Sequence, residues 1–341
     1  MSKRPTQMDV ARLAGVSRAT VSYVVNGLAG DDIPILPETQ QRVLDAIAEL
    51  DYQPDARAQS LKSGALKTIG LLIPDMHNPH HWQITMGVEQ QLRAEDYDLV
   101  LTSTYLDPNQ EANFLKALSR RRVDGLILLL TFSQQLDSQI KNLVKGRLPA
   151  VLLGKDIDGL DSVEITYYEG GCQVMRHLLE LGHQRIGFIH GVAHPSQGLT
   201  RLKAYREMLN RAGLPIDEDL IQHCSTTLEA GYQAASRLLD LHPGPTAILA
   251  INDLLAMGTL RAIYNRGLQV PEDISIASFD DIEFAEYTNP PLTTVQVYAE
   301  EIGRTTARLL LMRLQNPELP PQHIRMPTSL IVRNSTGSVP V

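Results

Sequence analysis

Cysteine is almost missing from this chain: Cys172 and Cys224 are the only two among 341 residues. Neither sits in a metal-ligand spacing, so a disulfide framework and a thiolate metal centre are excluded, and both thiols read as small hydrophobes in a reducing compartment. Long apolar runs are missing as well. The longest, Gly125 to Leu130, falls far short of the roughly 20 residues that a bilayer-spanning helix needs. The opening stretch MSKRPTQMDV has no apolar segment fit for a secretory signal, so a cytoplasmic protein with no membrane partner is expected. Phosphate-cradling glycine patterns are absent: there is no G-x-G-x-x-G after a strand and no G-x-x-x-x-G-K-[ST]. G-x-S-x-G and H-E-x-x-H are absent too, and no nucleophile–base pair is evident, so neither a catalytic residue nor a cofactor is expected. Basic surplus is lacking, with a net charge of −8. Taken whole, that balance argues against nucleic acid, because a duplex attracts basic surfaces.

What is present is a foldable chain, 43% apolar and 21% charged, long enough for two or three domains. The first stretch of about 60 residues carries three short helical patterns and no strand-like run. Thr6 and Asp9 have capping-box spacing; Val10, Ala11, Leu13 and Ala14 supply an apolar face, and Gly15 suits a left-handed turn. Ser17 can cap a second helix, Arg18 to about Val25, with Val21, Val24 and Val25 inward. A third pattern follows Pro37, with Val43, Ala46, Ile47 and Leu50 at helical spacing. Helix, glycine turn and capped helix make a helix-turn-helix.

The string DVARLAGVSRATVSYVVNG, followed by QRVLDAIAELDYQPDARAQSLKSG and KTIGLLIPDMHNP, resembles the lactose/galactose repressor (LacI/GalR) family of bacterial transcription regulators. The resemblance runs from Thr6 to about Arg333, with RRVDGLIL, HLLELGHQRIGFI, INDLLAMG, VPEDISIASFDD and PPLTTVQV as later landmarks. It implies a DNA-binding transcriptional regulator, a repressor by expectation, that reads a near-palindromic double-stranded operator as a homodimer. The second helix of such a motif places its first side chains at base edges in the major groove, here Ser17, Arg18, Ala19 and Thr20. The family sets operator preference largely at the positions of Arg18 and Ala19. Arg18 has two readings, paired hydrogen bonds to a guanine or a phosphate contact that only positions the protein. Thr6, Ser22, Tyr23 and Asn26 complete the expected contacts of the head, although Tyr23 stands where the family commonly has arginine. Residues 54–65 match the family's hinge, which folds when two copies pack on DNA; alone, so short a helix is too costly to nucleate. Arg57, Ala58 and Leu61 are its expected DNA contacts, with Leu61 as the minor-groove wedge. The segment 27–38 is about four residues longer than the family pattern, carries Asp31 and Asp32, and has Leu36 in place of the usual capping serine.

Charge is unevenly distributed. Residues 1–26 hold Lys3, Arg4, Arg12 and Arg18 against Asp9, a net of +3, so the remainder carries −11. A net charge of −8 therefore does not exclude DNA; it predicts weak non-specific binding.

From about Lys67 strand patterns alternate with amphipathic ones. Strands are expected at 68–73, 99–103, 125–130, 150–153, 186–190, 221–224, 247–251, 274–279 and 329–333, and helices at 82–94, 110–121, 170–181, 200–212 and 253–265. Such alternation gives parallel sheets covered on both faces, too many strands for one sheet, hence two doubly wound halves. The expected fold class is an all-α helix-turn-helix head plus an α/β body that the resemblance makes periplasmic-binding-protein-like. The expected domains are a head at 1–53, a hinge at 54–65 and an effector-binding and dimerisation body at 66–341. Within the body, 66–165 with 295–326 would form one half and 166–292 with 327–341 the other, crossing near Thr166, Leu292 and Pro327.

The resemblance implies a small-molecule effector between the halves, most simply a saccharide. His80 and His81, in NPHHWQI, follow the first strand and would face the cleft. Arg201, Asn252 and Asp280 match further ligand-contacting positions, while Asp253 reads as a helix cap. Arg201 could instead form an ion pair with Asp280 or a neighbour. Trp82, Tyr167 and Tyr168 are candidate aromatic surfaces, equally plausible as core or interface. Gly154, Thr166, Thr226 and Val297 depart from the usual pocket. No metal is expected, since adjacent histidines such as His77, His80 and His81 rarely converge on one ion. Two alternatives stay open: a binding module that has lost specific DNA recognition, and a regulator responding to a nucleoside or purine.

Overall fold

The structure, a computed structural model, describes residues 5–25, 33–52, 66–107, 110–111, 113–115, 123–129, 137–145, 148–154, 157–191 and 199–339. Asn26 and the hinge residues Arg57, Ala58 and Leu61 lie outside them. The chain divides into two compact units, Met1–Leu66 and Lys67–Val341.

The first unit packs α1 (Gln7–Ala14), α2 (Arg18–Val25) and α3 (Pro37–Glu49) around Val10, Val21, Val24, Val43 and Ala46. Local chemistry sets each boundary. The Thr6 backbone N–H donates to Asp9 Oδ2 at 2.9 Å and the Asp9 N–H to Thr6 Oγ1 at 3.4 Å, closing the capping box. Gly15 ends α1 at φ +64°, in the left-handed region that a side chain resists. Ser17 Oγ then accepts the Thr20 N–H at 3.1 Å. Helix α3 starts without a side-chain cap: Leu36 is 72% exposed, and Pro37 alone favours the first turn.

The second unit holds two six-stranded sheets. The first lobe orders its strands β11-β5-β4-β3-β1-β2, all parallel: β1 (Thr68–Ile73), β2 (Asp98–Ser103), β3 (Gly125–Leu129), β4 (Ala150–Leu153), β5 (Asp161–Ile165) and β11 (His323–Met326). The second orders β12-β10-β9-β8-β6-β7: β6 (Ile186–Gly191), β7 (Ile221–Cys224), β8 (Ala247–Ala250), β9 (Ser275–Asp280), β10 (Thr293–Val297) and β12 (Thr328–Ile331). Here the expected all-parallel sheet is corrected, because β12 returns antiparallel to β10. The domain boundary near Leu292 is corrected too. Residues 293–297 pair with β9 in the second sheet, so the chain crosses after Val297 rather than before Thr293. The other crossings fall between β5 and the helix opening at Tyr167, and between β11 and β12.

Helices cover both sheets: α4 (Pro79–Arg93), α5 (Asp137–Lys145), α6 (Tyr167–Glu180), α7 (Leu199–Arg211), α8 (Leu228–Leu239), α9 (Asp253–Asn265) and α10 (Ala299–Gln315). One close pair stands in each lobe. A Cβ on Gly87 of α4 would lie 1.9 Å from the Glu300 carbonyl oxygen, and one on Gly303 of α10 2.1 Å from that of Ile84. Gly231 on α8 and Gly258 on α9 interlock the same way. These glycines let two backbones meet where any side chain would hold them apart.

Candidate functional site

Strand order fixes where a ligand can sit. In both sheets the winding reverses between neighbours, at β1/β3 and at β6/β8, and the carboxyl ends of such strands open into a crevice. The first lobe contributes the segment after β1. Asn78 caps α4 by accepting the His80 N–H at 3.0 Å, which aims the first helical turn. His81 Nδ1 donates to the Asp75 carbonyl at 2.8 Å, and the Trp82 indole N–H donates to the Met76 carbonyl at 2.8 Å. His80 is thereby turned into the interior, 4% exposed.

The second lobe answers with Asp280, Arg201 and Tyr167. Asp280 Oδ1 stands 4.0 Å from His80 Nδ1, so the two lobes meet at this pair. Burial drives the His80 imidazole below its ordinary pKa against the attraction of Asp280, and Arg201 adds to the lowering. Burial likewise takes His81 down to about 4. Both rings are neutral at pH 7. Arg201 lays its guanidinium over the Tyr167 ring at 3.5 Å, and burial pushes the Tyr167 phenol up to about 12 against the effect of Arg201. Arg201 forms no ion pair with Asp280 or any other of the described residues. Two buried polar atoms lack a hydrogen-bond partner at this point, His80 Nδ1 and Arg201 Nε. Unsatisfied buried donors and acceptors are costly, and a ligand is a common way to satisfy them.

Asp280 is held in a conformation that side chains avoid, φ +104°, and Asp281 follows at +55°. Two clamps maintain the turn. Asp281 accepts from Arg333 at 2.8 Å and from Gln296 Nε2 at 3.1 Å. On the other side Asp253, fully buried, accepts the Ile282 N–H at 2.8 Å and the hydroxyls of Ser278 and Thr294 at 2.5 and 2.8 Å. Asp253 is therefore not the helix cap that its sequence position suggests. The cap is Asn252, whose side-chain oxygen accepts the Leu255 N–H at 2.9 Å. With one Oδ1 lone pair engaged in the cap, the Asn252 amide NH2 remains free of that duty. Burial, with Asp280 nearby, lifts the Asp253 carboxyl to about 7 in spite of its three hydrogen bonds.

The structure thus brings His80, Arg201 and Asp280 together, with His81 and Asn252 on the adjoining helix starts. Tyr167 and Asp253 belong to the same constellation; a strand-end tyrosine opening a helix was a visible signal, whereas Asp253's role depends on partners far along the chain. Trp82 is exposed and Tyr168 bonds Glu207, so neither lines this cluster. Thr166 ties the crossing strands through Thr328, and Val297 is buried core. Among the described residues no group of three or more metal-ligating side chains occurs.

In the head, Ser17, Arg18, Ala19 and Tyr23 are exposed along α2 and its cap. Arg18 Nε donates to Gln7 Oε1 at 3.4 Å, which steadies the side chain without covering it. Thr6 is exposed and Thr20 half-buried. Ser22 is the exception: it is buried, on the inward side of α2, and is the least presented of the expected contacts among the described residues.

Comparison with known proteins covers both units. Residues 6–55 match the model for bacterial regulatory proteins of the lacI family, and residues 175–336 match a periplasmic binding protein-like domain. The HTH-type transcriptional regulator DegA of Bacillus subtilis (strain 168) is 34% identical over 98% of each chain. The HTH-type transcriptional repressor PurR of Haemophilus influenzae (strain PittEE) is 33% identical over 98% of this chain and 99% of its own. Among solved structures, the Lac repressor dimer bound to operator and the anti-inducer ONPF superposes with a TM-score of 0.86 at 29% identity, covering 98% and 100% of the two chains. The transcriptional regulator CelR in complex with cellobiose gives 0.71 at 33% identity, covering 97% and 100%. With a capped helix-turn-helix at one end and a two-lobed crevice in the body, and with relatives matching along nearly the whole length, this chain belongs to the LacI family of DNA-binding transcriptional regulators.

Proposed function

We propose that this regulator is a homodimeric repressor whose operator affinity is switched by a neutral polyhydroxylated molecule, a saccharide or sugar derivative, held between the lobes. The carrying observation is the convergence of His80, Arg201 and Asp280 with two buried nitrogens lacking partners. Hydroxyls both donate and accept. Asp280 and a neutral imidazole nitrogen would accept from them, and Arg201 and the Asn252 amide would donate. The cluster holds one cation and one anion with neutral histidines, which suits an uncharged ligand. Cellobiose and ribose bound to relatives of this fold support the same class. A purine or nucleoside is the second reading, and the Tyr167 face on which a base would stack is already covered by Arg201. Relatives that are transcriptional regulators support a regulator without enzymatic activity, and no helix among the described residues is long and apolar enough to cross a membrane.

Direct base reading is assigned to Arg18 and Ala19, and positioning to Thr6, Ser17, Thr20 and Tyr23. A thermal-shift screen of saccharides against nucleosides tests the ligand class. Stabilisation by a sugar is expected; stabilisation by nucleosides alone would replace the saccharide reading.

A further inference from the structure

A second pair of imidazoles, on β6 and β7, makes its contacts outside the trio His80, Arg201 and Asp280. Strands β6 and β7 run parallel with His190 opposite His223. Both rings stand on the face that also carries Phe188 and Ile221, since side chains alternate along a strand. Their Nδ1 atoms are 3.2 Å apart, with the rings 69° to one another. His190 is 1% exposed and packs on Phe188, which packs in turn on Tyr205. His223 is exposed on β7, the outermost strand of its sheet. One ring is thus fixed by the core while its partner faces solvent.

Two neutral imidazoles meeting through like nitrogens can share only one hydrogen bond, with one ring carrying its proton on Nδ1. The same spacing suits an ion. At a zinc–nitrogen distance of about 2.0–2.1 Å, two nitrogens lie ~3.4 Å apart on a tetrahedral centre and ~2.9 Å apart at right angles. The observed 3.2 Å falls between those values. Cys224, next along β7, points to the opposite face, and burial pushes its thiol up to about 11, so it supplies no thiolate.

We propose that His190 and His223 form a two-imidazole chelate for a borderline divalent transition ion, with the remaining positions filled by water. Each Nδ1 donates its lone pair to the ion, the proton formerly shared moves to Nε2 of its own ring, and no redox step is involved. Imidazole ligands favour Cu2+ over Ni2+ and Zn2+, and do not select Mg2+ or Ca2+. The site is separate from the effector reading and does not depend on it.

The test is calorimetric titration of the untagged full-length chain with Ni2+ in a non-chelating buffer, repeated for His223→Gln and for His77→Gln. His77 is a highly exposed histidine elsewhere in the body. One saturable site of micromolar affinity is expected. It should weaken at least tenfold in His223→Gln, stay unchanged in His77→Gln, and be absent with Mg2+. Electron paramagnetic resonance of the Cu2+ form should show two imidazole nitrogens in the parent and one in His223→Gln. Equal Ni2+ affinity in parent and His223→Gln, or no saturable binding up to millimolar metal, would overturn the chelate.

Discussion

Asp253 shows how far one side chain's role can be from its sequence neighbourhood. Its partners Ser278, Ile282 and Thr294 lie 25, 29 and 41 residues away, so nothing within INDLLAMG distinguishes it from a cap. The Thr6–Asp9 box, by contrast, closes within three residues and is legible directly. With its folded pKa near 7 and an ordinary carboxylate value unfolded, Asp253 binds its proton more tightly in the folded state. The stabilising contribution is therefore full below about pH 4 and is lost as pH rises through about 7. Denaturation of parent and Asp253→Asn across that window should show the parent losing stability relative to the variant, by at most about 4 kcal/mol. A constant difference would place the titration elsewhere. At the cleft, Arg201→Ala removes a guanidinium that has no ion pair among the described residues, and sugar-induced stabilisation should vanish; its persistence would take Arg201 out of the site. In the head, Arg18→Ala should cost about 1–3 kcal/mol of discrimination at one base pair per half-site. If affinity instead falls equally on all sequences, Arg18 contacts phosphate.

Elements repeat the same lesson at the next scale. Strands made of continuous apolar runs, such as TIGLLI and GLILL, were readable because burial on both faces demands them. Strands β5, β10 and β11 read DSVEI, TTVQV and HIRM, short and half polar, and only their neighbours reveal them. Helix boundaries yield a further expectation. Since Leu36 offers α3 no cap and is exposed, Leu36→Asp should stabilise the head by ~1 kcal/mol through a new acceptor for the first-turn N–H groups. Chemical denaturation followed by circular dichroism would check it, and no gain would mean that water already serves those groups. Gly258→Ala should act oppositely. A Cβ 2.1 Å from the Leu228 carbonyl oxygen must push α8 and α9 apart, a cost of ~1–3 kcal/mol visible as a lowered midpoint.

At the scale of the whole molecule, the distribution of charge explains how an acidic chain serves DNA. The groove-reading region carries +3 and the remainder −11, so non-specific affinity is held low and operator binding depends on contacts made at the right sequence. The two lobes meet through His80 and Asp280, and under the proposed function a ligand held there would change how they are joined. Linkage then makes the effect reciprocal: a sugar that alters operator affinity must have its own affinity altered by operator to the same extent. Operator affinity measured against sugar concentration, in parent and Arg201→Ala, reads this coupling. A sugar that stabilises the parent should shift its operator affinity by at least tenfold and leave that of Arg201→Ala unmoved. Operator affinity indifferent to a sugar that demonstrably binds, or an equal shift in both proteins, would contradict it.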